Sequence, residues 1–245
     1  MERRRILGIP FDDVGTDEAL GKVEHFLHDG KIHIIAYLSL PTLMMARRSK
    51  FLRIFLEEAD LIIPTGKHIL WAGKVLKRPI HEPVDPSLFT KLLMNQSAEL
   101  GKKVYLFGGK DITVDKVYSN LKREIPRLFV LGKYRGNYPK RMHEDIVQAI
   151  GKASPDYFFI GLGSPFEELW VERNRERIHA KIVVLVGRLF DLFAGNIRKT
   201  GSYRNIPGSG SGTVREIPQP RAFRKLWWIP VFYVSVIIER LFWKH

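Results

Sequence analysis

Strands that end in glycine constrain this chain more than any other feature. The run Asp156-Tyr157-Phe158-Phe159-Ile160 is apolar and aromatic, and it stops at Gly161-Leu162-Gly163-Ser164-Pro165, just ahead of Glu167 and Glu168. Glycine lets the backbone turn sharply and lets a ligand or another chain segment approach, and a helix that follows offers unpaired N–H groups. The same junction recurs at Tyr105-Leu106-Phe107-Gly108-Gly109-Lys110 and at Val183-Val184-Leu185-Val186-Gly187-Arg188. In an open α/β sheet, ligands bind outside the carboxyl ends of the strands. Three such junctions predict one shared crevice, although ordinary tight turns use the same residues. On this reading Gly108, Gly109, Gly161, Gly163, Ser164, Glu167 and Gly187 are the candidate ligand-binding residues, facing Thr65.

The rest of the pattern agrees with an α/β fold. Apolar runs rich in β-branched and aromatic residues fall at 32–38, 61–63, 104–107, 128–131, 157–162 and 182–186. Amphipathic, helix-length segments fall at 41–58, 67–76, 86–100, 112–124, 142–152 and 165–178. Alternation of this kind predicts a mostly parallel sheet with helices on both faces. It organises residues 1–195 as a core. Residues 196–220 read as a linker, because the stretch 200–212 is dominated by Gly, Ser, Thr and Pro. Residues 221–245 form a C-terminal appendage. Asp111 and Asp85 are candidate helix N-caps, Asp85 being followed directly by Pro86.

Charge is concentrated at the C-terminus. The net charge is +14, and residues 196–245 hold nine lysines and arginines against two glutamates. The apolar run at 226–238 contains Trp227, Trp228, Phe232 and Tyr233 and ends at Glu239-Arg240. It is too short to span a bilayer, and aromatic residues beside arginines are the composition of an interfacial segment. Residues 221–245 are therefore expected to lie on an anionic membrane surface, with Pro230 breaking or kinking the segment. A helix docked on the core or on a second copy in a homo-oligomer is the other reading. No nucleic-acid motif accompanies the charge, so nucleic acid is not an expected partner. The chain has no cysteine, and His25 and His28 stand outside any zinc motif, so no metal site is expected. No G-x-G-x-x-G, Walker A or G-x-S-x-G occurs.

Six segments in chain order resemble the WecG/TagA/CpsF glycosyltransferases. They are Ile6-Leu7-Gly8-Ile9-Pro10-Phe11-Asp12; Glu58-Ala59-Asp60-Leu61-Ile62-Ile63-Pro64 with Gly66; Phe107-Gly108-Gly109-Lys110; Gly161-Leu162-Gly163-Ser164-Pro165 with Glu168 and Trp170; Val186-Gly187 with Phe190-Asp191 and Ala194-Gly195; and Arg215 with Pro220-Arg221. The resemblance implies a Rossmann-like core and a C-terminal appendage that meets the membrane and closes the site. It implies transfer of an N-acetylmannosamine-type sugar from a UDP-sugar to a polyprenyl-diphosphate-linked sugar in cell-surface polysaccharide synthesis. Such proteins work at the cytoplasmic, inner face of the cell membrane, peripherally, without a cofactor or an obligatory metal.

This chain departs from the family pattern in the pocket. The family's catalytic aspartate falls on Thr65, whose hydroxyl is a very poor base near neutral pH. A threonine and an asparagine of the family fall on Leu38 and Leu40, an arginine on Pro83, and a glutamine on Glu167. Asp85 is the nearest carboxylate in sequence to replace the missing base, although an N-cap is the favoured role for it. Asp191 is either a ligand for the nucleotide or a helix cap. Arg215, Arg221 and Arg224 either clamp a diphosphate or attract anionic lipid. The expected chemistry is a transferase whose standard reaction is slow or absent. The alternative is a silent paralogue that binds a lipid-linked intermediate or a partner enzyme.

Overall fold

A computed structural model describes residues 3–110, 112–197 and 227–242. Asp111, the glycine-serine stretch at 200–212, Arg215, Arg221 and Arg224 lie outside the described residues. Six strands form one parallel sheet: β3 (His33–Leu38), β4 (Leu61–Pro64), β5 (Lys103–Gly108), β6 (Phe129–Tyr134), β7 (Tyr157–Gly161) and β8 (Ile182–Leu185). Their order is β4-β3-β8-β7-β5-β6. All six lie within two residues of the runs expected to form strands, apart from the carboxyl end of β6, which continues three residues further. The four residues of β4 and β8 and the five of β7 are all buried. Continuous burial is what a parallel strand covered on both faces requires, and it explains why these runs do not alternate.

Helices cover both faces, which makes the fold Rossmann-like. On one face Phe107, Phe158, Ile160 and Leu185 pack with α2 (Leu40–Ala46), α3 (Lys50–Glu58), α4 (Lys67–Val75), α7 (His143–Ala153) and α8 (Phe166–Asn174). On the other, Leu106, Phe159 and Val184 pack with α1 (Thr16–Phe26), α5 (Pro86–Glu99), α6 (Thr113–Glu124) and α9 (Leu189–Phe193). The segment 41–58 is two helices and not one. Ser49 is extended, and its hydroxyl accepts from Leu52 N–H at 3.2 Å, so it caps α3 and ends α2.

The C-terminal helix α10 (Trp228–Phe242) docks on this core. Phe232 and Val236 are fully buried against it. Tyr233 O–H meets His68 Nδ1 at 3.0 Å, Arg47 donates to Ser235 Oγ at 2.9 Å, and the Glu239 carboxylate accepts from Leu7 N–H and Arg78, each at 2.8 Å. Pro230 does not break the helix. It occupies the first turn, where its missing N–H would have had no partner.

An antiparallel hairpin absent from the expected elements, β1 (Arg4–Ile6) and β2 (Ile9–Phe11), protects the sheet edge. Its tight turn, Leu7-Gly8, has positive φ at both residues. Just beyond it, Asp12 N–H donates to Ile62 O at 2.9 Å, and Asp12 Oδ2 accepts from Ile62 N–H at 2.7 Å. One residue thus supplies both halves of a ladder rung to edge strand β4. Arg3 fixes it, donating to Asp12 Oδ1 at 3.1 Å and to the carbonyls of Glu57 and Ala59. Replacing Asp12 by Ala strands the Ile62 N–H and should cost about 1–3 kcal/mol. Urea denaturation of Asp12→Ala checks this, and an unchanged midpoint would show that the rung carries no stability.

Candidate functional site

The crevice lies where the sheet changes direction. From β5 the chain leaves through α6 to β6, toward one edge. From β7 it leaves through α8 to β8, toward the other. The two helices pack on opposite faces, so the chain leaves the carboxyl ends of β5 and β7 in opposite directions, the arrangement at which open α/β sheets bind ligands. Gly108 and Gly161 are register partners at this point. Gly109 N–H donates to Gly161 O at 2.9 Å, and a Cβ on Gly108 would fall 2.4 Å from that same carbonyl. Gly108 also has φ +138, so no other residue fits without displacing β7.

A fourth glycine joins them. Gly136 N–H donates to Gly109 O at 2.9 Å, and a Cβ there would meet Leu162 Cδ2 at 2.4 Å. It follows β6, whose carboxyl end lies beyond the expected run at 128–131, so its place at the crevice was hidden. An aromatic cluster under the β5 end was also missed. Trp170 Nε1–H donates to Tyr138 O–H at 2.9 Å, Tyr138 meets His143 Nδ1 at 2.9 Å, and Phe107 packs on Trp170. These residues are far apart in sequence, and only the topology brings them together.

Glu167 ties the β7 and β8 turns. It is 4% exposed, and its Oε2 accepts from Leu162 N–H at 3.2 Å, Gly163 N–H at 3.0 Å and Gly187 N–H at 3.0 Å. Glu168 lies beside it, also buried. Its Oε1 accepts from the Ser164 hydroxyl, while its Oε2 has no hydrogen-bond partner among the described residues. Burial raises the Glu167 pKa well above the ordinary carboxylate value. The Glu168 carboxyl adds to the shift, and the three N–H bonds offset part of it. Burial likewise raises the Glu168 pKa, opposed by Ser164.

The other candidates are placed as follows. Asp191 sits in the first turn of α9, which has no side-chain cap bond at its N-cap, Arg188. Its carboxylate is 3.7 Å from Arg188 Nε. Asp85 is 2% exposed and caps α5, Oδ1 accepting from Ser87 N–H at 2.8 Å and Ser87 Oγ–H at 2.7 Å. Thr65 ends β4 at the same carboxyl edge. It is 5% exposed, and its hydroxyl donates to Leu38 O at 3.5 Å. Three strand spacings separate it from Gly161, roughly 14 Å, so only an extended ligand would touch both. Among the described residues no group of three or more His, Asp or Glu side chains is placed to hold a metal.

Comparison with known proteins gives the arrangement its context. The profile of the Glycosyl transferase WecG/TagA/CpsF family matches residues 4–244. The chain is similar to the N-acetylglucosaminyldiphosphoundecaprenol N-acetyl-beta-D-mannosaminyltransferase of Bacillus spizizenii, with 26% identity over 74% of this chain and 70% of the relative. The Bacillus subtilis protein of the same name is 22% identical over 98% of this chain and 93% of its own length. A Staphylococcus aureus protein with that name is 22% identical over 78% and 75%.

Gly108→Ala should destabilise the fold by at least about 2 kcal/mol, because the added methyl meets backbone and not a movable side chain. The midpoint of chemical denaturation reads this, with Gly21→Ala as a control where a Cβ meets nothing within 4 Å. Equal midpoints for the two variants would show that the β5–β7 approach is looser than described.

Proposed function

Because this chain belongs to the WecG/TagA/CpsF glycosyltransferase family, we propose that it transfers an N-acetylmannosamine-type sugar from a UDP-sugar to a polyprenyl-diphosphate-linked sugar at the inner face of the cell membrane. The observation that carries this reading is the set of four glycines that join the turns at the β5–β7 switch point, on the same carboxyl edge of the sheet as Thr65. Its relatives are named for transfer to N-acetylglucosaminyldiphosphoundecaprenol, and that acceptor chemistry suits this chain if it reaches a membrane.

Helix α10 supplies the means. No helix among the described residues is long and apolar enough to cross a membrane. Yet α10 exposes Val231, Val234, Ile237, Ile238, Leu241 and Phe242 on the side opposite buried Phe232 and Val236. An apolar face of that size beside Arg47 and Arg240 suits a peripheral helix on an anionic surface. Arg221 and Arg224 would add charge attraction that salt screens. Removing α10 would uncover the core it packs on, so the exposed face is the better test. Ile237→Glu with Leu241→Glu should abolish sedimentation with anionic vesicles and leave the melting temperature near that of the parent. Undiminished sedimentation would contradict the anchor, and a changed molecular mass in solution would assign the face to a homo-oligomer.

The identity of Thr65 favours a second reading, a silent paralogue that binds the lipid-linked intermediate or a partner enzyme. Asp85 is committed to its cap and Glu167 to backbone N–H groups, so neither carboxylate stands free to replace the base. A positioned base is worth about 10²–10⁴-fold in rate. In a transfer assay with UDP-N-acetylmannosamine and a polyprenyl-diphosphate N-acetylglucosamine acceptor, the unmodified chain should be slower than the Bacillus subtilis relative by about that factor. Thr65→Asp should recover only part of it, since Leu38, Leu40 and Pro83 remain. Equal rates for the unmodified chain and the relative would show that another group serves as base.

A further inference from the structure

We propose that Glu167 reserves the β7–β8 side of the crevice for the uncharged, hydroxyl-bearing part of a ligand and closes it to phosphate. The proposal rests on the sugar-nucleotide reading of the crevice for the identity of the ligand, but the exclusion of phosphate follows from the geometry alone.

Clustered backbone N–H groups at glycine turns are an anion site by default, because several donors converge on one point. Here the cluster is already filled from within. A single oxygen, Glu167 Oε2, accepts from Leu162, Gly163 and Gly187, which belong to two turns about 25 residues apart in sequence. The other oxygen lies under the second turn, 3.6 Å from where a Gly187 Cβ would stand. A phosphate arriving at these turns would find those three donors taken and a like charge beneath them. Behind Glu167 stands a second buried carboxyl, Glu168, whose Oε1 is engaged by Ser164. On the β8 side Arg188 lies 3.7 Å from Asp191 Oδ2, so its charge is balanced locally. A sugar or ribose hydroxyl meets no such repulsion. It can donate to carboxyl or carbonyl oxygens at the turn.

The same geometry sets a pH dependence. Burial and the neighbouring Glu168 raise the pKa of Glu167, so its charge is lost at a higher pH than for an exposed glutamate. Phosphate exclusion should therefore weaken as pH falls.

The test titrates inorganic pyrophosphate and, separately, a UDP-N-acetylhexosamine into the full chain and into Glu167→Gln, following backbone amide resonances by NMR. The amide side chain carries no charge, and its oxygen is a weaker acceptor than a carboxylate, so an anion can compete for the three N–H groups. In the parent, pyrophosphate should leave the Leu162, Gly163 and Gly187 amides unmoved. In Glu167→Gln it should shift them and bind about fivefold tighter or more. Pyrophosphate affinity of the parent should also rise as pH falls, more steeply than that of Glu167→Gln. This pH comparison on the parent keeps the idea testable if the variant folds poorly. Equal pyrophosphate affinity and unmoved amides in both proteins would overturn the proposal while leaving the crevice reading intact. Weaker binding by Glu167→Gln would overturn it too, since the carboxylate would then be holding the anion's site open. If no UDP-sugar binds either protein but the pyrophosphate difference holds, the exclusion stands and the sugar-nucleotide reading falls.

Discussion

The approach of Gly108 to the Gly161 carbonyl is the constraint on which the rest of the site depends. At this point two strands that run side by side send their chains to opposite faces of the sheet. Their turns meet this closely only because neither residue carries a side chain, and the Gly109 to Gly161 hydrogen bond then locks them together. Gly136 extends the same construction to β6. Glu167 extends it to β8 through three backbone hydrogen bonds. Four strand ends are thus joined at one edge by backbone contacts and one buried carboxylate. Such a framework can persist while the side chains above it change.

That is how the departures at Thr65, Leu38, Leu40 and Pro83 become intelligible. Each alters a polar group that the family pattern would put on the ligand, and none touches the glycine framework. Leu38 is buried, and the Thr65 hydroxyl turns onto its carbonyl, so neither side chain presents the polar group of the family pattern. The glycine framework is thus independent of the residues at these positions. Substrate binding and rate are separable properties in such a protein.

The sheet was legible because buried parallel strands read as short, unbroken apolar runs bounded by glycine. The runs ending at Gly108, Gly161 and Gly187 gave both the strands and the edge of the site. The two-helix break at Ser49 was not legible, since apolar spacing runs across it and only the cap geometry divides it. The β1–β2 hairpin was hidden because three-residue strands carry almost no periodic signal. Its role on the sheet edge depends on Asp12 reaching Ile62, fifty residues away. The partnership of Glu167 with both turns was hidden for a related reason. Sequence shows a carboxylate at a helix start, where a solvent-facing or ligand-facing role is the default. Its burial depends on how β7 and β8 lie side by side.

The account stands on one claim above the others, that the β5–β7 switch point binds a sugar nucleotide. A crystal structure of the chain soaked with UDP-N-acetylmannosamine tests it most directly. Density should run along the carboxyl edge, with the diphosphate at the Gly108-Gly109 turn, the ribose against Gly161–Ser164 and the sugar directed toward Thr65. Density at any other surface, or an empty crevice at saturating ligand, would contradict it.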